Sequence, residues 1–76
     1  MAIGYILCAF DKRKESESQY DLKNLDEVKE IHPLFGEYDI IAKIEATDYV
    51  EIEKIVKEKI RNIDGVNDTM TLIGKG

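Results

Sequence analysis

Few side chains in this sequence have both the type and the spacing that a reaction centre requires. Cys8 and His32 are the only cysteine and histidine, and together they fit no recognised metal-ligand spacing. The sequence contains no nucleophile–base pair, no glycine-rich phosphate loop and no paired carboxylates at a useful spacing. It therefore predicts no catalytic residue, no metal site and no cofactor.

Asp39 is the strongest candidate for a functional contact, because it is the only acid in its strand that directly follows a turn. The turn is predicted at Gly36-Glu37, between Phe35 and Tyr38, with the two residues of a tight β-hairpin. Glycine accepts the positive φ that the first central position of a type II′ turn requires. A carboxylate beside such a turn can pair with an ammonium group.

Four strands are predicted, two of them in this hairpin. Met1–Phe10 is apolar on both alternating faces, so it should be central in a sheet and covered on both sides. Val28–Leu34 contains Pro33, which cannot donate to a ladder, so this strand should lie at a sheet edge or be distorted near its end. The hairpin continues into Tyr38–Ala46, and the last strand is Val66–Ile73. One face of that last strand carries Val66, Asp68, Met70 and Leu72.

Two capping-box patterns predict the helices. Ser16–Gln19 predicts a short helix that ends near Asn24, with Ser16 at the N-cap. Asp48–Glu51 predicts a second helix that ends near Asn62, and Gly65 suits the left-handed position after it. The apolar residues of the second helix recur at helical spacing: Ile52, Ile55, Val56, Ile60 and Ile63.

The two halves of the chain repeat faintly, since Leu25–Gly36 aligns with Ile63–Gly74 at an offset of 38 residues. Each half contains strand, helix and strand, and this order predicts an α+β, ferredoxin-like βαββαβ fold. Its four-stranded antiparallel sheet would carry both helices on one face, with the first and third strands central. We predict a single domain over residues 1–76 that ends in a frayed tail from Gly74 to Gly76.

Two helices cover only one face of four strands, although the first strand is apolar on both faces. The uncovered face would expose a patch large enough to mark an interaction site. A chain of 76 residues also buries only about 60% of its unfolded surface, and a partner chain commonly compensates for so small a core. Two-fold packing against a second copy gives a homodimer that resembles an α/β barrel. The alternative is a monomer that tolerates a few exposed apolar residues.

The charge of the chain argues against direct nucleic-acid binding, which requires clustered lysine and arginine. The net charge is −5, and the only basic run, Lys12–Lys14, is followed at once by Glu15 and Glu17. No apolar run reaches the roughly 18 residues of a membrane span, and the amino terminus lacks the pattern of a secretory signal. These features predict a cytoplasmic protein without membrane contact.

Two long stretches, Leu25–Glu45 and Ile60–Ile73, resemble the C-terminal effector-binding (RAM) domain of the Lrp/AsnC transcription regulators. A Gly-x-Tyr-Asp hairpin and a closing Gly-Val-x-x-Thr-x-Thr strand carry the resemblance in combination. The similarity extends over most of the chain, from Ile3 to Ile73. It implies dimers formed through the sheets, rings of such dimers, and a small amino acid bound where dimers meet.

The resemblance also implies where this ligand would bind. In the family, the turn between the second and third strands and the last strand build the pocket. The corresponding residues here are Gly36, Glu37, Tyr38, Asp39, Thr69 and Thr71. Asp39 would pair with the α-ammonium group, while threonine hydroxyls and turn N–H groups would bind the α-carboxylate. Each has a structural alternative, since acids bond locally in turns and threonine favours strands.

The full regulators carry a helix-turn-helix before this domain, and the sequence contains no such motif. We therefore expect a stand-alone module that senses an amino acid and modulates the assembly of DNA-binding Lrp/AsnC relatives without binding DNA itself. Two alternatives stay open. One is a purely structural oligomerisation module with a degenerate pocket, and the other is a small dimeric ferredoxin-like enzyme.

Overall fold

The computed structural model describes residues 1–74, so positions 75 and 76 of the predicted tail lie outside the described part. Within this part, the elements follow the predicted order: β1 (Ala2–Phe10), α1 (Glu15–Lys23), β2 (Val28–Pro33), β3 (Ile40–Ala46), α2 (Tyr49–Ile55) and β4 (Val66–Ile73). A 3₁₀ turn over Lys12–Lys14 precedes α1, and a π-helical segment over Val56–Ile60 continues α2. The predicted βαββαβ fold is thereby confirmed.

The four strands form one antiparallel sheet in the order β2-β3-β1-β4. β1 and β3 are central, and β2 and β4 are the edges, as predicted. Pro33 ends the edge strand β2, a position in which a missing N–H is tolerated.

Both helices pack on the same face of the sheet, and every second residue of β1 and β3 points into the core between them. Gly4 lets α2 lie close to β1, because a Cβ there would come within 2.9 Å of Ile52 Cγ2. Burial of each isoleucine contributes about 1.5–3 kcal/mol relative to exposure. The buried apolar side chains include Ile6, Cys8, Phe10, Leu22, Ile40, Ala42, Ile44, Ile52, Ile55, Val56 and Ile60.

The predicted N-cap of α1 at Ser16 is wrong. Asp11 caps the preceding 3₁₀ turn instead, accepting a 3.0 Å hydrogen bond from the Arg13 N–H, and α1 follows without a side-chain cap of its own. Because the backbone is already helical before Ser16, a capping hydroxyl has no role at that position. The predicted cap of α2 is confirmed, since Asp48 accepts a 2.8 Å hydrogen bond from the Glu51 N–H.

The hairpin has the predicted register but a longer connection. Pro33 pairs with Ile40, and the Leu34 N–H donates to the Asp39 carbonyl at 2.9 Å. A two-residue turn at Gly36-Glu37 would instead join Phe35 and Tyr38 by a hydrogen bond, because hydrogen-bonded pairs alternate along a hairpin, so the predicted tight turn is wrong. Regular strand ends at the pair of Pro33 and Ile40, so β2 and β3 are shorter than predicted and residues 34–39 form a six-residue segment, the 34–39 loop. Gly36 has the predicted positive φ, at 116°.

The predicted face of β4 is wrong for one residue, because the strand contains a β-bulge. Ala9 pairs with Asp68 whereas Phe10 pairs with Val66, so Asn67 is an extra residue on β4. The bulge turns Val66 towards the core, against which it packs, and leaves the rest of its predicted face on the other side of the sheet.

Candidate functional site

Asp39 lies where the end of β1 meets the start of β3. Its Oδ2 accepts a 2.7 Å hydrogen bond from the Phe10 N–H, and its Oδ1 lies 3.3 Å from the Lys12 Nζ. Its own N–H donates to the Cys8 carbonyl at 2.8 Å. The carboxylate, only 15% exposed, therefore has both oxygens engaged within the chain. Asp39 fastens the 34–39 loop to the end of β1.

Tyr38 links the same loop to β4. Its hydroxyl donates to Asp68 Oδ2 at 3.4 Å, and Asp68 Oδ1 accepts a 2.9 Å hydrogen bond from the Thr69 N–H. Partial burial raises the pKa of Tyr38 above its ordinary value, and the nearby Asp68 carboxylate adds to the effect. Sequence reasoning did not include Asp68 or Lys12 among the site residues. For Asp68 the signal was its position between Gly65 and Thr69 in the closing motif.

Thr69 and Thr71 lie on the helix-covered side of β4 and are half-buried, opposite Cys8 and Ile6 of β1. Asp68, by contrast, is exposed on the opposite side of the sheet. The structure therefore brings Tyr38 of the loop close to Asp68, which precedes Thr69 in β4. It places Thr71 two residues farther along the strand, away from the loop. The partners of Asp39 are Cys8 and Phe10 of β1 and Lys12.

The tip of the 34–39 loop projects into solvent. Gly36 and Glu37 are exposed, and the Phe35 side chain is completely exposed, at 107% of its reference area. Leu34 beside it is also exposed. Apolar side chains of this size are commonly covered, so the loop tip is a candidate contact surface.

The face of the sheet without helices, which we call the open face, is apolar over β1 and β4. Ile3 and Tyr5 of β1 are 37% and 39% exposed, and Met70 and Leu72 of β4 are 46% and 47% exposed. Strand register places Tyr5 beside Leu72 and Leu7 beside Met70, so these side chains form one continuous patch. Within the described residues, β1 is thus covered on one side only.

The other half of the open face, over β2 and β3, is charged. The Glu30 carboxylate accepts from His32 Nε2 at 3.1 Å and lies 3.5 Å from Lys43 Nζ, which is also 3.9 Å from Glu45. The contact with His32, and then that with Lys43, lowers the pKa of Glu30. We call Glu30, His32, Lys43 and Glu45 the charged cluster.

The remaining candidate groups lie apart from these surfaces. Burial raises the pKa of the Cys8 thiol to about 12, so this cysteine is an inert core residue. A cleft of about 510 Å³ opens between α2 and Glu27, and none of the predicted ligand residues lines it. Within residues 1–74, no trio of histidine, cysteine or carboxylate side chains is arranged to hold a metal ion. The described helices are too short and too polar to cross a membrane.

The sheet with helices on one face and a loop site at one end defines a ferredoxin-like α+β domain. Residues 12–74 match the family model described as the Lrp/AsnC ligand binding domain. The chain therefore belongs to the Lrp/AsnC ligand-binding domain family, as the sequence resemblance implied.

Sequence relatives include regulators and part of an enzyme. An uncharacterized HTH-type transcriptional regulator of Pyrococcus furiosus is 37% identical over 73 residues, which are 92% of this chain and 49% of the relative. The chain thus spans about half the length of this curated relative. A homocitrate synthase of Sulfurisphaera tokodaii is 46% identical over 44 residues, which are 58% of this chain but 9% of the enzyme.

Solved structures share the fold over nearly the whole chain. The crystal structure of FFRP-DM1 superposes with a TM-score of 0.91 and 33% identity, covering 99% of this chain and 100% of that one. A transcriptional regulator from Neisseria meningitidis, solved as a complex with L-Met, superposes with a TM-score of 0.88, covering 99% of this chain and 50% of that one. It is 18% identical, so this second likeness concerns the fold alone.

Proposed function

We propose that this chain is an amino-acid-sensing and oligomerisation module. It pairs through its open face, assembles into rings of dimers, and binds a small amino acid at the cleft between dimers. Ligand binding would change its assembly, or its association with DNA-binding Lrp/AsnC regulators in the cytoplasm. The observation that carries the proposal is the exposed apolar patch on the open face, in a chain that belongs to an effector-binding family.

The patch supports pairing with a second copy. Ile3, Tyr5, Met70 and Leu72 are large side chains on a rigid sheet, and water contact with them is unfavourable by about 25 cal/mol per Å² of apolar surface. Sheets pack face to face at about 10 Å when their inner faces are apolar. A two-fold axis lets the same patch on each copy cover the other.

The 34–39 loop supports a ligand site that a second dimer completes. A zwitterionic amino acid needs an anion for its ammonium group and N–H or hydroxyl donors for its carboxylate. We propose that Asp39 supplies the anion when Lys12, which is 81% exposed, moves away from it. Gly36, Glu37, Tyr38, Thr69 and Thr71 complete the proposed ligand set, with the exposed loop tip covered by the neighbouring dimer.

A purely structural oligomerisation module is the second candidate. The observation that favours it is the engagement of both Asp39 oxygens, with the Phe10 N–H and with Lys12. In this case Asp39 would stabilise the end of the sheet, and no ligand would replace its partners.

Titration calorimetry with each of the twenty amino acids, supported by thermal-shift measurements, distinguishes the two candidates. Sensing predicts heat and a raised melting temperature with at least one small amino acid, and a weaker response in Thr69→Val, which removes one proposed donor. Lys23→Met, on α1 away from the loop, serves as the control. No response to any amino acid would remove the sensing function and leave the structural module.

A further inference from the structure

We infer that His32 makes the pairing of two copies through the open face pH-dependent, with tighter pairing at mildly acidic pH. The inference rests on the dimer of the proposed function and adds a regulatory property to it. His32 pairs with Ile41 of β3, which pairs with Leu7 of β1, so the imidazole shares the open face with the apolar patch.

The charged cluster contains every ionisable side chain that the register places on this half of the face. Glu30 adjoins His32 on β2, and Lys43 and Glu45 lie on β3, beside Glu30 and beyond it. When the imidazole is neutral, two carboxylates share one ammonium group, and the cluster carries one net negative charge. When the imidazole is protonated, each carboxylate has a cationic neighbour, and the cluster is neutral.

Pairing through the open face makes the free energy of the dimer depend on the net charge of the cluster. In the single chain, the His32 and Glu30 side chains are 64% and 50% exposed, so water screens the cluster. A second sheet laid on the face removes much of that water, and an unbalanced charge then becomes costly.

Both placements of the two-fold axis lead to the same sign. If the charged clusters of the two copies face each other, two negative charges approach, and protonation relieves the repulsion. If each cluster faces the partner's apolar half, a cluster with a net charge is desolvated at greater cost than a neutral one. The dimer therefore binds protons more readily than the separate copies do, and by linkage its dissociation constant falls as the pH falls.

The composition of the chain allows the effect of His32 to be separated from that of other side chains. His32 is its only histidine, and histidine is the residue type that ordinarily changes charge between about pH 5 and pH 8. Burial raises the pKa of Cys8 to about 12, well above this range. The full chain would be studied by sedimentation at about pH 8 and at about pH 6, above the ordinary range of the carboxylates. We expect the dissociation constant of the dimer to decrease by about tenfold between these conditions.

Two variants at the exposed His32 position identify the group responsible. His32→Gln keeps a neutral side chain at both pH values and should show a nearly constant dissociation constant. His32→Lys carries a permanent cation and should pair tightly at both. Thermal unfolding would verify that each variant is folded before its affinity is compared.

Each outcome has a distinct meaning. Tightening in the wild type that is absent from His32→Gln supports the inference. A wild-type dimer whose affinity is constant, or weakens on acidification, overturns the inference but leaves the proposed dimer intact. Equal tightening in His32→Gln also overturns it, since another group must then be responsible. A chain that stays monomeric at both pH values overturns the inference and the proposed dimer together.

Discussion

At the scale of single residues, polar side chains in this protein form hydrogen bonds between segments that are distant in the sequence. Ser18 is fully buried on α1 and donates a 2.6 Å hydrogen bond to the Asp64 carbonyl, in the turn before β4. Asp39 does the same for the end of β1, with the Phe10 N–H as its donor. Residue type alone therefore does not separate a ligand contact from a structural one, and the partners of each polar atom must be identified.

Gly65→Ala is expected to destabilise the protein more than Gly36→Ala. Both glycines have positive φ, 94° and 116°, so both variants incur backbone strain of about 1–2 kcal/mol. At Gly65 the new Cβ would also lie 2.2 Å from Ser18 Oγ and 2.9 Å from Lys14 Cβ, whereas at Gly36 it meets no described atom within 4 Å. Urea denaturation should show at least about 1 kcal/mol of additional loss at Gly65. Equal losses would show that α1 moves aside freely.

At the scale of elements, an ion pair joins the end of the second helical region to the start of β2. Lys59 lies in the π-helical segment after α2 and is hydrogen-bonded to the Glu27 carboxylate, just before β2. The second carboxylate oxygen of Glu27 is buried and has no hydrogen-bond partner among residues 1–74. Lys59 lowers the pKa of Glu27, so the pair favours the charged carboxylate of the folded state.

This pair should give the wild type an acid-sensitive component of stability. Because the pKa of Glu27 is lowered on folding, its contribution is complete above the ordinary value of 4.5 and is lost as the pH falls through the folded value. Lys59→Met removes the partner, so its free energy of unfolding should fall less than the wild-type value between about pH 6 and about pH 3. Lys57→Met, in the same helical segment, is the control and should resemble the wild type, because Lys57 forms no ion pair within residues 1–74. Identical pH profiles for all three proteins would exclude the pair as a source of acid sensitivity.

At the scale of the whole molecule, the two faces of the sheet differ in kind. The helix-covered face holds the core, whereas the open face combines an apolar patch with the charged cluster. Water contact with such an apolar patch is unfavourable unless another surface covers it. We propose that a second copy of this chain covers it. The Phe35 side chain at the tip of the 34–39 loop is fully exposed as well, so it is available for the contact between dimers that we propose.

Leu72→Glu is expected to abolish pairing. The substitution puts a carboxylate into the apolar patch of each copy, and two such charges would be desolvated in the dimer. We expect the dissociation constant to increase at least about 100-fold, as measured by light scattering at micromolar concentrations. Val50→Glu adds the same charge on α2, where Val50 is 77% exposed, and should leave the dimer unchanged. Pairing that survives in Leu72→Glu, or is lost equally in Val50→Glu, would place the interface elsewhere.

The sequence by itself was sufficient for features that depend on neighbouring residues. Alternation located the core side of β3, and spacing of three and four located the buried side of α2. In β1 both faces are apolar, so only the packing of the helices showed which face lies in the core. The Asp48 cap, the positive φ of Gly36 and Gly65 and the hairpin register are likewise local, since each depends on residues within a few positions. Hydrophobic periodicity and turn chemistry depend on the order of neighbouring residues, so they can be predicted from the sequence.

Only the tertiary structure decided which polar groups meet. Asp39 and Phe10 are 29 positions apart, and their hydrogen bond exists because β1 and β3 lie side by side. The bulge at Asn67 depends on how β4 fits the end of β1, and it alone turned Val66 into the core. The alternation of apolar and polar residues along a strand does not show where a bulge will add an extra residue. The presence of an aspartate does not show which hydrogen-bond donor its carboxylate will meet. Both are set by contacts between distant segments, which form only when the sheet is assembled.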